Sequence, residues 1–357
     1  MTRSRTEEEI DAQPAIWRGW AEPLSDIARD ARQFLSETGA AEVWFSGAGT
    51  SAYIGDILAA SPPGPLRFRS VPTTDLVADP GRFLKTHEAV LSVQFGRSGD
   101  SSETVASLDL LDQVRPDIPW LSITCNAAGA LATRRPRGTG RAFPIVLPPA
   151  THDVGFAMTS SFTTMLLTAL ACFDSRFDPA AAMPTLAAAA DDLLPRLWSM
   201  PAPRPARAVF LGSGAMQAVA QECALKVMEL SAGRTLAVSE SSLGFRHGPK
   251  SMLGDGAWVV VLVHPDDHVA RYDHDIADEI RAQFPRAVVK TVGPRGADLP
   301  VAGTGNARAD AALYALTGQV LAARWSNDLG LNVDNPFANG SLTRVVAGVS
   351  IHPYVSP

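Results

Sequence analysis

The chain has little of what marks several common classes of protein. Only 19% of its 357 residues are charged, and 31 Lys+Arg against 37 Asp+Glu leave a net charge of −6. That balance excludes a disordered polyelectrolyte and gives no basic surface for nucleic acid. Cysteine is scarce. Cys125, Cys172 and Cys223 lie far apart among apolar or small neighbours and form no C-x-x-C pair, so they read as reduced core thiols of a cytoplasmic protein. Long apolar runs are missing too: the longest, residues 257–263, falls far short of the roughly 20 residues that cross a bilayer. The opening MTRSRTEEEIDAQPAIW has no apolar core of a secretory signal. Neither a membrane nor a nucleic-acid partner is expected.

What is present points to a globular α/β protein. Apolar residues make up 46% of the chain, and at roughly 150 residues per domain its length suits two domains. The 28 glycines and 27 prolines are too many for a helical bundle and punctuate short apolar runs, as strand-to-helix turns do. The chain also repeats itself. Residues 42–59 (EVWFSGAGTSAYIGDILA) and 208–230 (AVFLGSGAMQAVAQECALKVMEL) share one grammar of apolar strand, small-residue turn and helix. Gly47 and Gly49 match Gly212 and Gly214 at an offset of 165 residues. Residues 89–95, 120–124 and 143–147 in the first half, and 258–263 and 287–292 in the second, read as strands apolar on both faces, the pattern of a parallel sheet covered by helices. Two tandem doubly wound α/β units follow, joined by an Ala-rich helix and a Pro-rich stretch within 176–206.

In such sheets ligands bind beyond the carboxyl ends of the strands, so the turns there are the places to look for chemistry. Ser46-Gly47-Ala48-Gly49-Thr50-Ser51 leads small residues into a helix whose free N–H groups suit a phosphate. As a dinucleotide fingerprint it fails, because Ala52 stands at the third glycine; a tight turn without a ligand is the alternative. After residues 89–95 comes Gly96-Arg97-Ser98-Gly99-Asp100-Ser101-Ser102-Glu103-Thr104, with a guanidinium and four hydroxyls ahead of a helix over 105–114. Such a loop offers N–H groups, the Ser98 and Ser101 hydroxyls and a forked Arg97 to a phosphate, unless Arg97 is a plain surface charge. No Walker lysine is present, which speaks against a nucleoside triphosphate.

The second half carries other chemistry. Glu222, Lys226 and Glu229 stand at i, i+4 and i+7, a strip about 60° wide on one helix face. The rest of that helix is apolar nearly all round, so the strip suits a cleft better than bulk water; an exposed Glu–Lys pair is the alternative. Beyond it, residues 239–250 put His247 in a loop constrained by Gly248 and Pro249. A carboxylate and a histidine beside a phosphate pocket can shuttle protons on a sugar. His264 and His268 near Asp266, Asp267 and Asp273 read as a solvated loop rather than metal ligands.

These motifs carry a resemblance. The two strand–GxG–helix units, the Ser98–Thr104 hydroxyl loop and the E-x-x-x-K-x-x-E helix followed by His247-Gly248-Pro249 resemble a pair of SIS (sugar isomerase) domains. More narrowly, the sequence is similar to the tagatose-6-phosphate/galactosamine-6-phosphate ketose-aldose isomerase family. The similarity spans nearly the whole chain: Thr6-Glu7-Glu8-Glu9-Ile10 with Gln13-Pro14 and Trp17, then residues 47–52, 71–77, 95–99, 123–126, 151–161, 244–251 and 344–349 with His352-Pro353. The resemblance implies a helical segment over 1–40, SIS domains over 41–200 and 205–340, and a tail over 341–357 near the active site. Each domain would be a flavodoxin- or Rossmann-like three-layer αβα sandwich.

The same motifs are similar to the isomerase half of glucosamine-6-phosphate synthase, which extends the implication to individual residues. Glu229 matches the proton-transfer base, Lys226 the helix lysine and His247 a ring-opening histidine lent by the partner subunit of a homodimer. Gly49, Thr50, Ser51, Arg97, Ser98, Ser101, Thr159 and Arg344 become substrate-binding candidates, with Arg97 at a glutamine position. Ala347 stands where that synthase has a lysine, and His152-Asp153 is a site pair or a structural cap. The chain is not itself the synthase, because no cysteine precedes Cys125 to act as an amino-terminal nucleophile. The implied reaction converts galactosamine 6-phosphate to tagatose 6-phosphate and ammonia without a metal or other cofactor. Glu229 would need an electrostatic partner, Lys226 or the Thr50/Ser51 amides. Glucosamine-6-phosphate deaminase and fructosamine-6-phosphate deglycase are alternatives in the same superfamily. A phosphosugar-sensing module is the alternative outside enzymes, and the acidic first 40 residues lack the basic DNA-binding segment a sensor needs.

Overall fold

A computed structural model of the chain describes residues 3–60 and 64–355. It divides into two compact units. One comprises Gly19–His152, Ser160–Ala180 and Thr343–Pro357; the other comprises Met1–Arg18, Asp153–Thr159 and Ala181–Leu342.

The first of these units holds a sheet of five parallel strands: β1 (Glu42–Ser46), β2 (Arg67–Ser70), β3 (Val90–Gly96), β4 (Trp120–Thr124) and β5 (Ala142–Val146), in the order β2-β1-β3-β4-β5. Its helices follow the strands: α2 (Thr50–Ala59), α3 (Thr73–Ala78), α4 (Ser102–Val114), α5 (Ala130–Thr133) and α6 (Ser160–Phe173). The long first helix, α1 (Arg5–Thr38), contributes its residues from Gly19 onward. Central strands β3 and β4 are buried almost throughout, whereas β2 is half exposed and carries Arg67 and Arg69. Charge on an edge strand keeps it from pairing with another chain. That alternation of charge is also why β2 is invisible to a search for apolar runs.

The other unit repeats the plan. Strands β6 (Arg207–Gly212), β7 (Leu236–Ser241), β8 (Trp258–Leu262), β9 (Val288–Gly293) and β10 (Leu299–Pro300) are parallel in the order β10-β9-β8-β6-β7. Read from the other edge this is the order of the first sheet, which is the flavodoxin-like arrangement. Helices α7 (Pro179–Ser199), α8 (Ala215–Leu230), α9 (Asp267–Gln283) and α10 (Ala307–Asp328) complete it. α10 is buried along nearly its whole length and α8 packs on it.

The fold class is therefore the expected one, two doubly wound parallel α/β units, and the 165-residue offset has a physical cause. A Cβ on Gly47 would stand 2.6 Å from the Ser51 carbonyl, and one on Gly212 would stand 2.5 Å from the Met216 carbonyl. Gly49 and Gly214, at φ +54° and +58°, turn the chain into each helix through a region that side chains avoid. The units do not follow single cuts in the chain, however. α7 and the start of α1 group with the second sheet, and residues 343–357 group with the first, where Tyr354 packs against the core around Trp44, Phe83 and Trp120.

Candidate active site

In the unit built on the first sheet, the order turns at β1: β2 lies on one side of it and β3 on the other. The turns leaving β1 and β3 therefore open side by side at the switch point, with Ser46 paired to Gln94 in the last register position. This brings Gly49, Thr50 and Ser51 to the same edge as Arg97, Ser98 and Ser101. Thr50 and Ser51 are 4% exposed and Arg97 is 6% exposed; Arg97 is no surface charge. Its Nη2 donates to the Arg344 carbonyl at 3.3 Å, which makes the exposed tail part of this region. Ser101 is the N-cap of α4: its Oγ accepts from the Thr104 N–H at 3.3 Å and lies 2.7 Å from Thr104 Oγ1. The helix thus begins at Ser102, earlier than the periodicity suggests. Ser98 is held at its backbone, its carbonyl accepting from Asn126 Nδ2 at 2.9 Å, and Asp100 accepts from the Ala130 N–H at 2.7 Å. Ser46 Oγ and Thr73 Oγ1 are buried here without a hydrogen-bond partner, an unusual surplus of polar atoms that suits a polar ligand.

In the unit built on the second sheet, α8 carries the charged strip, and it is buried. Glu222 and Lys226 are 0% and 1% exposed, and Glu229 keeps 24% of its side chain open. Lys226 Nζ lies 3.6 Å from Glu222 Oε1 and donates to Glu229 Oε2. One ammonium stands between two carboxyl groups, with the water-facing end on Glu229. Such a carboxylate is held in orientation and can still reach a substrate proton. Glu222 is legible in the sequence as part of the strip, and the structure adds its complete burial beside Lys226.

His247 is exposed, on a segment anchored by its neighbours. Phe245 is buried in the second sheet's core. Arg246 Nε donates to Glu279 Oε2 at 2.7 Å and Lys250 Nζ to Glu279 Oε1, which together hold the Glu279 carboxyl below its usual range.

Thr159 lies in a different environment from the turns after β1 and β3. It is fully buried, its N–H and its hydroxyl donate to Asp153 at 2.8 and 2.9 Å, and its carbonyl accepts from Gln319 Nε2 at 3.4 Å. Asp153 is thus the cap of the pair His152-Asp153. This loop is where the amino-terminal motif lands. Glu9 accepts from the Val154 and Gly155 N–H groups, Gln13 donates to Gln319 at 2.7 Å, and Asp334 accepts from the Thr6 N–H and hydroxyl, both at 2.8 Å. Burial, and then the charge of Asp153, push the Glu9 carboxyl up to about 7.

Among the described residues no group of three His, Cys, Asp or Glu side chains could hold a metal, and no helix is long and apolar enough to cross a membrane. The His264–Asp273 stretch is not a solvated loop. Asp266 caps α9, and Asp273, on that helix, is fully buried. All three cysteines are buried.

No family model matches the chain. Among proteins of known name, it is 43% identical to the AgaS of Streptomyces coelicolor over 97% of this chain and 95% of that protein. It is 37% identical to the D-galactosamine-6-phosphate deaminase AgaS of Escherichia coli over 99% of this chain and 97% of that protein. Among solved structures, the tagatose-6-phosphate ketose/aldose isomerase from Escherichia coli superposes with a TM-score of 0.88 at 34% identity, covering 99% of this chain and 98% of that one. The glucosamine-6-phosphate deaminase from Thermotoga maritima shares the fold, with a TM-score of 0.75 at 22% identity over 96% of this chain and 100% of that one.

Proposed function

Since the chain belongs to the AgaS family, we propose that it converts D-galactosamine 6-phosphate and water to tagatose 6-phosphate and ammonia. The observation that carries this reading is the buried Glu222–Lys226–Glu229 cluster on α8, a fixed carboxylate of the kind that a proton transfer at carbon requires.

The chemistry proceeds from the open-chain sugar, which His247 helps to form by moving the anomeric proton. Glu229 removes the proton from C2 while O1 gains one, giving an enolamine. Glu229 returns its proton to C1, and loss of an N–H proton leaves a 2-imino ketose. Water adds to the imine and ammonia departs, so the C2 hydrogen ends on C1 and the nitrogen is replaced by oxygen. Lys226 orients Glu229. The phosphate falls to Gly49, Thr50, Ser51, Ser98 and Ser101, with Arg97 supplying positive charge where the net charge of −6 supplies none. Arg344 contributes the carbonyl that fixes Arg97, and Thr159 belongs to the framework of its loop.

We also propose that the protein works as a cytoplasmic homodimer in N-acetylgalactosamine catabolism, each subunit lending its exposed His247 to the other. Its three buried cysteines suit a reducing compartment. Incubating the purified protein separately with galactosamine 6-phosphate, glucosamine 6-phosphate and tagatose 6-phosphate, while following ammonia and ketose, tests the reading. Ammonia is expected from the galacto sugar foremost. Silence on all three would end the enzyme reading, and a preference for the gluco sugar would reassign the substrate.

A further inference from the structure

The second sheet has a switch point of its own, beyond the carboxyl ends of β7, β6 and β8, where an open α/β sheet takes its ligand. A side chain of the protein occupies it. Asp273 of α9, with no exposed surface, accepts from Ser213 Oγ at 2.7 Å, from the His264 N–H at 2.9 Å and from Ser242 Oγ. Ser213 follows β6, Ser242 follows β7 and His264 lies just past β8. Donors from three strand ends converging on one carboxylate give it the surroundings of a bound oxyanion. Two hydroxyls of the first sheet's turn have no counterpart here: Ala215 and Met216 stand where the repeat has Thr50 and Ser51.

Two of the three donors sit on segments that carry the candidate chemistry. Ser213 lies inside the glycine turn that starts α8, the helix of Glu222, Lys226 and Glu229. Ser242 opens the segment that bears His247. Six residues along α9 from Asp273, about 9 Å at 1.5 Å per residue, Glu279 holds Arg246 and Lys250 of that same segment. α9 therefore splints residues 242–250 at both ends, and Asp273 alone also grips the start of α8.

We propose that Asp273 is a positioning residue: seated where the second sheet would otherwise take an anion, its carboxylate holds the His247 segment in register with the start of α8. The proposal rests on the roles given above to His247 and Glu229. Without that carboxylate, the buried Ser242 hydroxyl and the half-buried Ser213 hydroxyl and His264 N–H lose their acceptor, and the segment keeps its Glu279 tie.

Asp273→Gly in the full chain opens room for a free carboxylate, and formate is the probe. Two readouts are taken with and without it: backbone hydrogen exchange over residues 213–217 and 242–250, and ammonia release from galactosamine 6-phosphate. Exchange in both segments is expected to quicken about tenfold, as for loss of one or more hydrogen bonds. Turnover number is expected to fall by a similar factor with little change in KM, and excess formate should reverse both. Unaltered exchange over 242–250, or formate that moves neither readout, overturns the proposal. Should the glycine variant fail to fold, Asp273→Asn, which keeps one acceptor oxygen, decides: faster exchange over 242–250 upholds the proposal and wild-type exchange overturns it. If the wild type releases no ammonia, the proposed reaction fails on its own, and exchange and its formate response still judge Asp273.

Discussion

Lys226 is withdrawn from water beside two carboxylates, an arrangement that costs desolvation and is kept only while all partners remain. Lys226→Met should therefore destabilise the protein by about 3–5 kcal/mol, because two buried or half-buried carboxylates lose their counter-charge; a denaturant midpoint measures this. Glu229→Gln is expected to leave phosphosugar binding nearly intact while ammonia release falls by about 10²–10⁴-fold, the usual contribution of a general base. Wild-type turnover in that variant would remove Glu229 from its role. Glu9 makes a prediction of the opposite sign. Its carboxyl titrates at about 7 in the folded protein against an ordinary 4.5, because burial and Asp153 penalise its charge, with Asp334 adding to them. The folded state binds the extra proton, so this group's stabilising contribution is whole below pH 4.5 and is lost as pH rises through 7. Glu9→Gln should raise the thermal midpoint at pH 8 and leave it unchanged at pH 4.5. A midpoint that falls at pH 8 would mean that the bonds to Val154 and Gly155 need the charge.

At the scale of elements, the helix pair α8 and α10 depends on one missing side chain. A Cβ on Gly318 of α10 would stand 2.5 Å from both Cβ and Sγ of Cys223 on α8. Gly318→Ala should cost about 1–3 kcal/mol by overpacking and lower turnover, since α8 bears Glu229. Cys223→Ala should not rescue it, because the clash includes the Cys223 Cβ itself; a rescued double variant would show that sulfur alone makes the contact. The loop 153–159 is the counterpart case, an element without regular structure held by side chains from α1 and α10. Its glycine is required by proximity: a Cβ on Gly155 would reach 2.3 Å from Thr6 Oγ1.

For the whole molecule, the two halves have diverged while keeping one topology. One phosphosugar per chain is expected in titration calorimetry, since the second turn has Ala215 and Met216 in place of Thr50 and Ser51 and Asp273 fills its switch point; two per chain would contradict this. Thiol chemistry reads out global integrity. Cys125, Cys172 and Cys223 are buried, and burial pushes the Cys172 thiol up to about 12, so native protein should not react with a thiol reagent at pH 8 and denatured protein should give all three.

The sequence by itself determined the duplicated α/β plan, the strands apolar on both faces and the charged strip of α8. Those are local or periodic signals, and a helix-to-strand contact such as Gly47 on Ser51 is written within five residues. It left β2, β7 and β10 unseen, since an edge strand need not be apolar. Only the tertiary structure decided that Arg97 and Lys226 are buried, that Thr159 spends its donors on Asp153, and that Glu9 clasps a loop some 145 residues away. It alone turned Asp273 from one acid among several into the anion of the second sheet. Burial and hydrogen-bond partnership are set by groups distant in the chain, and a carboxylate's surroundings leave no mark on the residues beside it.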